Sequence, residues 1–191
     1  TQWEKLLQTF PYFPMPINAI LGNHDYMGDI WGQVNSKLWD FPSLYYFKKV
    51  GNAGFWFLDS QILAPECPGD ISPYQVMTDH VDQKVAPKEF GGLGKGWREE
   101  KERHIKWLKK SLKENDHLKY KFLFGHYPIA SMGVYDTRYS LGETLLPLMK
   151  KYDISGYISG HDHNAQHVVI DYEGFEANQF ICGATMKNSP Y

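Results

Sequence analysis

The chain has 191 residues, of which 42% are hydrophobic and 22% charged, and its formal net charge is −2. This length can bury the core of one domain but is short for two. Nucleic-acid and membrane-surface binders usually carry a basic excess, so 20 basic against 22 acidic residues favour neither class. No apolar run approaches the ~18 residues of a transmembrane helix. The chain has only two cysteines, Cys67 and Cys182, which could pair. A count of two excludes a disulfide-rich scaffold.

The first third of the chain predicts a helix, a strand and a hairpin. Apolar residues at positions 3, 6, 7 and 10 share one face of a short helix on which the chain opens, and prolines follow it. The apolar run Ile17–Leu21 predicts a short buried strand that leads directly into Gly22-Asn23-His24-Asp25. Residues 45–50 and 54–58 predict a hairpin around a glycine turn.

The rest of the chain alternates strands with helices. Residues 62–96 lack periodicity and predict an irregular insertion in a single domain that spans residues 1–191. The further predicted elements are, in chain order, a charged helix over 97–114, a strand over 120–124, a helix that begins at a capping box with Ser140 as N-cap, a strand over 154–159 and a hairpin of 168–172 with 175–182. This alternation, with hairpins added, predicts a layered α/β fold with mixed sheets.

Three of the predicted strands end in a glycine that is followed at once by a polar, ligand-type residue. The ligand-type residues are Asn23, His24, His126, His161 and His163. Ligands of α/β sheets bind outside the carboxyl ends of strands, where such loops converge. Neutral imidazoles suit Zn, Fe, Mn or Cu, and an amide oxygen adds a hard ligand. The sequence therefore predicts a metal site at one edge of the sheet.

Simpler interpretations exist for each motif taken alone. A single histidine is usually a surface residue or a core residue with a satisfied ring, and Gly-His-Tyr-Pro at 125–128 could be an ordinary turn. Gly-His-Asp-His at 160–163 is more specific, because two imidazoles are costly to crowd around a carboxylate without a cation. The three loops together favour the metal site. The histidines at 80, 104 and 117 are predicted to have no part in it, and His167, four residues after His163, at most supports a ligand without binding the metal.

The ordered motifs at 22–25, 125–128 and 160–163 resemble those of the calcineurin-like metallophosphoesterases. Within that superfamily, the chain is similar to the small, animal-type purple acid phosphatases, also called tartrate-resistant acid phosphatases. The flanking segments Trp-Asp-Phe-Pro-Ser at 39–43 and Trp-Leu-Lys-Lys at 107–110 support the narrower likeness. The resemblance covers nearly the whole chain apart from residues 64–96.

The resemblance implies a four-layer αββα sandwich of two mixed sheets. It implies a dinuclear metal centre at which a metal-bound hydroxide attacks a phosphate monoester. By that likeness, Asn23, His126 and His161 would bind a divalent ion, Fe(II), Zn(II) or Mn(II). His163 would bind Fe(III), and His24 would contact the phosphate and protonate the leaving alkoxide.

The chain also departs from the family pattern. The family has two earlier strand-end loops that supply an aspartate, a bridging aspartate and a tyrosinate, and this chain has neither loop. Two ions with a summed charge of about +5 need carboxylates besides neutral ligands, yet Asp25, Asp59 and Asp162 offer no obvious bridge. The family's second catalytic histidine is also absent from residues 129–137. We therefore expect the chain to be the C-terminal part of a larger domain, with its N-terminal strands missing, and to be inactive alone.

Three functions follow as alternatives. The first is an acid phosphatase that acts on phosphate monoesters. The second is a phosphatase-like structural or anchoring subunit with an incomplete metal site, which would bind a protein partner through residues 62–96. The third keeps the metals but acts on phosphodiesters or phosphoproteins. The resemblance also suggests a secreted, lysosomal or vacuolar protein.

Overall fold

The computed structural model describes residues 17–27, 30–64, 95–133 and 139–183. The predicted N-terminal helix, most of the predicted insertion and Cys67 lie outside these ranges. The described helices are a 3-10 turn at Asp25–Met27, α1 (Ile30–Val34), α2 (Ser60–Leu63), α3 (Lys95–Glu114) and α4 (Tyr139–Lys151). The described strands are β1 (Tyr46–Val50), β2 (Ala53–Phe57), β3 (Tyr120–Phe124), β4 (Gly156–Ser159), β5 (Ala165–Tyr172) and β6 (Phe175–Cys182).

The six strands form one mixed sheet in the order β1-β2-β3-β4-β6-β5. The four central strands, β2, β3, β4 and β6, are parallel, and each outer strand is the antiparallel partner in a hairpin. Both predicted hairpins and the mixed α/β fold are therefore confirmed. The second sheet of the expected sandwich stays a prediction. None of the described helices is long and apolar enough to cross a bilayer.

Both faces of the sheet are covered, because neighbouring residues of a strand point to opposite sides. On β2, Trp56 belongs to a core cluster that includes Leu108 of α3 and Leu145 of α4. The next residue, Phe57, belongs to a second cluster with Leu21 and Ile62. This double burial explains why β2 is a continuous apolar run.

Helix α3 is amphipathic over most of its length. Its buried positions recur every three or four residues, at Glu100, His104, Leu108, Ser111 and Leu112, while the positions between them are mostly exposed. Three of those buried positions, Glu100, His104 and Ser111, carry polar groups that an apolar pattern does not reveal. The prediction that His104 is an ordinary helix residue therefore missed its complete burial.

Several predicted boundaries differ from the structure. Ile17–Leu21 is not a strand of the sheet: among the described residues it makes one parallel bridge, Asn18 to Asp40. An apolar segment forms a strand only where a neighbouring segment pairs with it over several residues. Ser140 lies inside α4, which already begins at Tyr139, and is not its N-cap. The predicted insertion of 62–96 is too long at both ends, since Ile62 lies in α2 and α3 starts at Lys95.

Candidate metal centre

The loops that follow β2, β3 and β4 lie side by side at the carboxyl edge of the sheet. The backbone N–H of Leu58 donates to the carbonyl of Phe124 at 2.8 Å, and that of Gly125 donates to Ile158 at 3.0 Å. One step further out, the N–H of Gly160 donates to the carbonyl of His126 at 3.0 Å. Parallel pairing thus continues past the strand ends and fixes the loops that carry the two histidines.

Three of the predicted ligand side chains meet at this edge. Oδ1 of Asn23 lies 2.8 Å from Nε2 of His126. The same Nε2 lies 3.1 Å from Nδ1 of His161. Asn23 and His161 are buried, with 7% of each residue exposed. Three loops distant in sequence therefore direct one donor atom each to a common region.

His161 has a backbone conformation that is rare for a residue with a side chain. Its φ is +62°, and the N–H of Asp162 donates to the carbonyl of Gly160 at 2.8 Å. This hydrogen bond closes a three-residue turn with His161 at its centre, a strained arrangement in its positive-φ form. Strain of this kind is concentrated at functional sites, where surrounding contacts maintain it.

The imidazole of His126 rests on Gly22. A Cβ atom at position 22 would lie 3.0 Å from both Cε1 and Nδ1 of that ring. This separation is shorter than almost all real Cβ contacts, so any larger residue would force the ring to move. Glycine at this position leaves room for the ring that points its Nε2 atom at Asn23.

The three donor atoms fit a divalent cation. Metal–nitrogen distances are about 2.1 Å, so two ligand atoms at right angles around one ion are about 3.0 Å apart. The separations of 2.8 and 3.1 Å in the structure bracket that value. Imidazole nitrogen and amide oxygen also suit the borderline first-row metals. Two of the three pairwise separations among Asn23, His126 and His161 are thus compatible with neighbouring ligands of one ion.

The carboxylates near these loops have other partners. Asp25 accepts the N–H of Gly22 at 2.8 Å, and burial raises the pKa of its carboxyl above the usual value. The buried Asp162 accepts a hydrogen bond from the hydroxyl of Ser131. Asp59 accepts one from the hydroxyl of Tyr26. Each of these hydrogen bonds joins a carboxylate to a residue outside the trio.

The other two predicted site residues lie on the same loops. His24 follows Asn23 and is exposed, whereas His163 follows His161 by two residues and is half-buried. Across the described residues, no group of three or more His, Cys, Asp or Glu side chains gathers as a metal site. Asn23, His126 and His161 do not form such a group, because Asn23 has an amide side chain. Cys182, at the end of β6, is exposed and its thiol is free.

Sequence reasoning missed the segment that supports these side chains. Asp59, Ser60 and Gln61 follow β2 at the same edge of the sheet and are buried. A polar residue directly after an apolar strand was the signal used for the other loops. No glycine precedes Asp59, so the pattern of a glycine followed by a polar residue does not identify this segment.

Comparison with known proteins gives the family. A family model described as calcineurin-like phosphoesterase matches residues 1–165. Tartrate-resistant acid phosphatase type 5 of Rattus norvegicus is 29% identical over 178 residues, which cover 86% of this chain and 46% of that protein. Purple acid phosphatase 17 of Arabidopsis thaliana is 26% identical over 167 residues, covering 85% and 45%. The chain spans about half the length of these relatives.

Two solved structures share the fold. A dimetal phosphatase from Danio rerio superimposes with a TM-score of 0.63 at 18% identity, covering 94% of this chain and 64% of that one. GAP50, the anchor in the inner membrane complex of Plasmodium, has a TM-score of 0.60 at 24% identity, covering 88% and 49%. These similarities concern the fold alone. Since the family model matches most of the chain, the protein belongs to the calcineurin-like phosphoesterase family.

Proposed function

We propose that the protein is a metal-dependent acid phosphatase that hydrolyses phosphate monoesters at a dinuclear centre. The observation that carries the proposal is the convergence of three side chains. His126 Nε2 lies 2.8 Å from Asn23 Oδ1 and 3.1 Å from His161 Nδ1. Membership of the phosphoesterase family gives the reaction class. The acid phosphatases among the relatives suggest monoesters as the substrate.

Asn23, His126 and His161 would bind a divalent ion, Fe(II), Zn(II) or Mn(II). Bound cations of this kind polarise phosphoryl oxygens and lower the pKa of a coordinated water. His163 would bind Fe(III). His24 is exposed beside Asn23, so a phosphate ester can reach it from solvent. We assign it the phosphate contact and the proton donated to the leaving oxygen.

A dinuclear centre needs negatively charged ligands to balance the charge of its two metal ions. The trio contributes no negative charge, and Asp25, Asp59 and Asp162 are hydrogen-bonded elsewhere. Two ions totalling about +5 need carboxylate ligands. The dinuclear proposal therefore requires carboxylates beyond these three. Metal analysis and a visible absorption spectrum of the full-length protein test it, since a tyrosinate-to-iron band would identify a ferric site.

The experiment is hydrolysis of p-nitrophenyl phosphate by the metal-loaded full-length protein between pH 4 and 7. His161→Ala should lower the rate at least about 100-fold, because a direct ligand matters no less than an outer-shell partner. His167→Ala is the matched control. His167 is exposed on β5 and lies 2.9 Å from Asn178 through its Nε2. Turnover that is independent of metal, or unchanged in His161→Ala, would contradict the proposal.

The substrate class needs its own comparison. Phosphodiesters and phosphoproteins are the alternatives within the same superfamily. Side-by-side kcat/KM values on p-nitrophenyl phosphate, bis-p-nitrophenyl phosphate and a phosphoserine peptide separate the three. The proposal expects the monoester to give the highest value.

A second candidate is a structural or anchoring subunit with the phosphatase fold. Separations of 2.8 and 3.1 Å also suit a chain of hydrogen bonds without metal, and GAP50 is described as an anchor. The protein partner predicted to bind at residues 62–96 would belong to this candidate. It expects no saturable metal binding and no turnover, with stability unaffected by chelators.

The compartment follows from the activity. An acid phosphatase is useful where the pH is low, so the proposal includes a secreted, lysosomal or vacuolar location. Localisation of the tagged full-length protein, compared with a marker for acidic compartments, tests this part separately.

A further inference from the structure

Three consecutive residues, Asp59, Ser60 and Gln61, each support one of the three converging side chains. They follow β2 after the single residue Leu58; Asp59 is the N-cap of α2, and Ser60 and Gln61 are its first two residues. Relative exposure is 0% for Asp59 and Ser60 and 2% for Gln61. We call these residues the 59–61 segment.

Ser60 supports His126 through the backbone. Its Oγ accepts hydrogen bonds from the N–H groups of both His126 and Tyr127, each at 2.9 Å. One hydroxyl thus satisfies two successive backbone donors at the start of the loop. Without it, both donors would lose their acceptor in a buried position, which is costly.

Asp59 supports the loop that carries Asn23. One carboxylate oxygen accepts the N–H of Ile62 at 3.1 Å, which fixes the carboxyl group as the N-cap of α2. The other oxygen accepts a hydrogen bond from the hydroxyl of Tyr26. Tyr26 lies three residues after Asn23, in the 3-10 turn that follows it.

Gln61 supports His161 through an aromatic ring. Its Oε1 accepts a hydrogen bond from the hydroxyl of Tyr127. The ring of Tyr127 is fully buried and meets the ring of His161 edge to face, with centroids 4.7 Å apart at 82°. This geometry is the preferred one for neighbouring aromatic rings.

We propose that the 59–61 segment is a positioning element that sets the separations among Asn23, His126 and His161 and thereby the affinity for a divalent ion. The inference rests on the proposed function only in taking these three side chains as metal ligands. The segment acts through Tyr26, two backbone N–H groups and the ring of Tyr127. Outer-shell partners of this kind typically change metal affinity 10–100-fold.

The test measures Mn²⁺ binding to the metal-free full-length protein, with free Mn²⁺ followed by electron paramagnetic resonance. Ser60→Ala should raise the dissociation constant about tenfold or more. Ser111→Ala is the matched control. Ser111 is also buried and its Oγ accepts an N–H, that of Trp56 Nε1 at 2.8 Å, but it lies on α3. Both variants should lose thermal stability, and only Ser60→Ala should lose affinity.

The possible failures are distinguishable. If the wild type binds Mn²⁺ and His161→Ala abolishes binding, but Ser60→Ala binds as tightly as the wild type, the positioning role is wrong and the metal site stands. If His161→Ala binds as tightly as the wild type, or the wild type binds none, the metal site itself is wrong and the positioning role falls with it. Should Ser60→Ala not fold, Gln61→Met decides by the same criterion, since it removes the acceptor for Tyr127 at similar volume.

Discussion

The rings of Tyr45 and His104 stack face to face, with centroids 3.9 Å apart and planes inclined by only 6°. His104 is completely buried in α3, and its two ring nitrogens have no hydrogen-bond partner in the part of the chain described. Burial alone lowers the pKa of this imidazole to about 3. His104 is therefore a neutral core residue, and its burial makes the free energy of unfolding depend on pH.

That burial predicts an acid-sensitive contribution to stability. Between pH 6.5 and 3 the unfolded chain protonates His104 while the folded chain does not. The free energy of unfolding should therefore fall with falling pH, by about 1.4 kcal/mol per unit. His104→Phe keeps an aromatic ring beside Tyr45 and should remove this component. Urea denaturation at pH 4, 5 and 6 measures it; an unchanged slope in His104→Phe would count against the assignment.

Asp59 should contribute a pH dependence of opposite sign. Complete burial raises the pKa of its carboxyl to about 7, although hydrogen bonds from Tyr26 and Ile62 oppose the shift. Between pH 4 and 7 the folded protein holds this proton and the unfolded chain does not. Stability should thus fall as the pH rises, by about 1.4 kcal/mol per unit. In the metal-free protein, Asp59→Asn should abolish that loss.

The two groups offer a joint control. Their windows overlap between pH 4 and 6.5, where the opposing slopes largely cancel. The metal-free wild type should show little pH dependence from this pair. Asp59→Asn should then reveal stability that rises with pH, and His104→Phe stability that falls with pH. Slopes of the same sign in both variants would contradict one of the two shifts.

Gly125 and Tyr157 should be energetically coupled. A Cβ at position 125 would lie 2.2 Å from the Tyr157 hydroxyl, which donates to the carbonyl of Tyr127 at 2.5 Å. Gly125→Ala should therefore cost about 1–3 kcal/mol by overpacking. In Tyr157→Phe the offending oxygen is gone, so the same substitution should cost less there. A double-mutant cycle should give a coupling energy of about 1 kcal/mol or more; additive costs would argue against the contact.

The parts of the fold that sequence predicts well are those with local signals. Glycine turns at 51 and 174 mark both hairpins, and both residues have positive φ in the structure. The loops at 125 and 160 were found because a glycine and a histidine follow an apolar run. Ile17–Leu21 has the same apolar composition, yet strand formation depends on a pairing partner that composition does not show.

The contacts that support the site could not be predicted from the sequence, because they join residues far apart in the chain. The bond from Tyr26 to Asp59 joins residues 33 positions apart, and that between His126 and Asn23 joins residues 103 apart. Such pairs depend on how segments distant in sequence pack against one another in three dimensions, which no local pattern encodes. The ligand types were therefore predictable, whereas the residues that hold them at their distances were not.

The close approach of Gly22 to His126 gives the last prediction. In Gly22→Ala the new Cβ would lie 3.0 Å from the His126 ring, which must shift by a few tenths of an ångström. Because the ring also carries Nε2 toward Asn23, we expect Mn²⁺ affinity to fall about tenfold with little change in folding. Gly142→Ala is the control: it lies inside α4, with its Cβ 3.2 Å from Ile129. Helix propensity there should offset the tight contact, and Mn²⁺ affinity should be unchanged. Equal affinities in the two variants would contradict the prediction, since they would show that a shift of the His126 ring does not weaken Mn²⁺ binding.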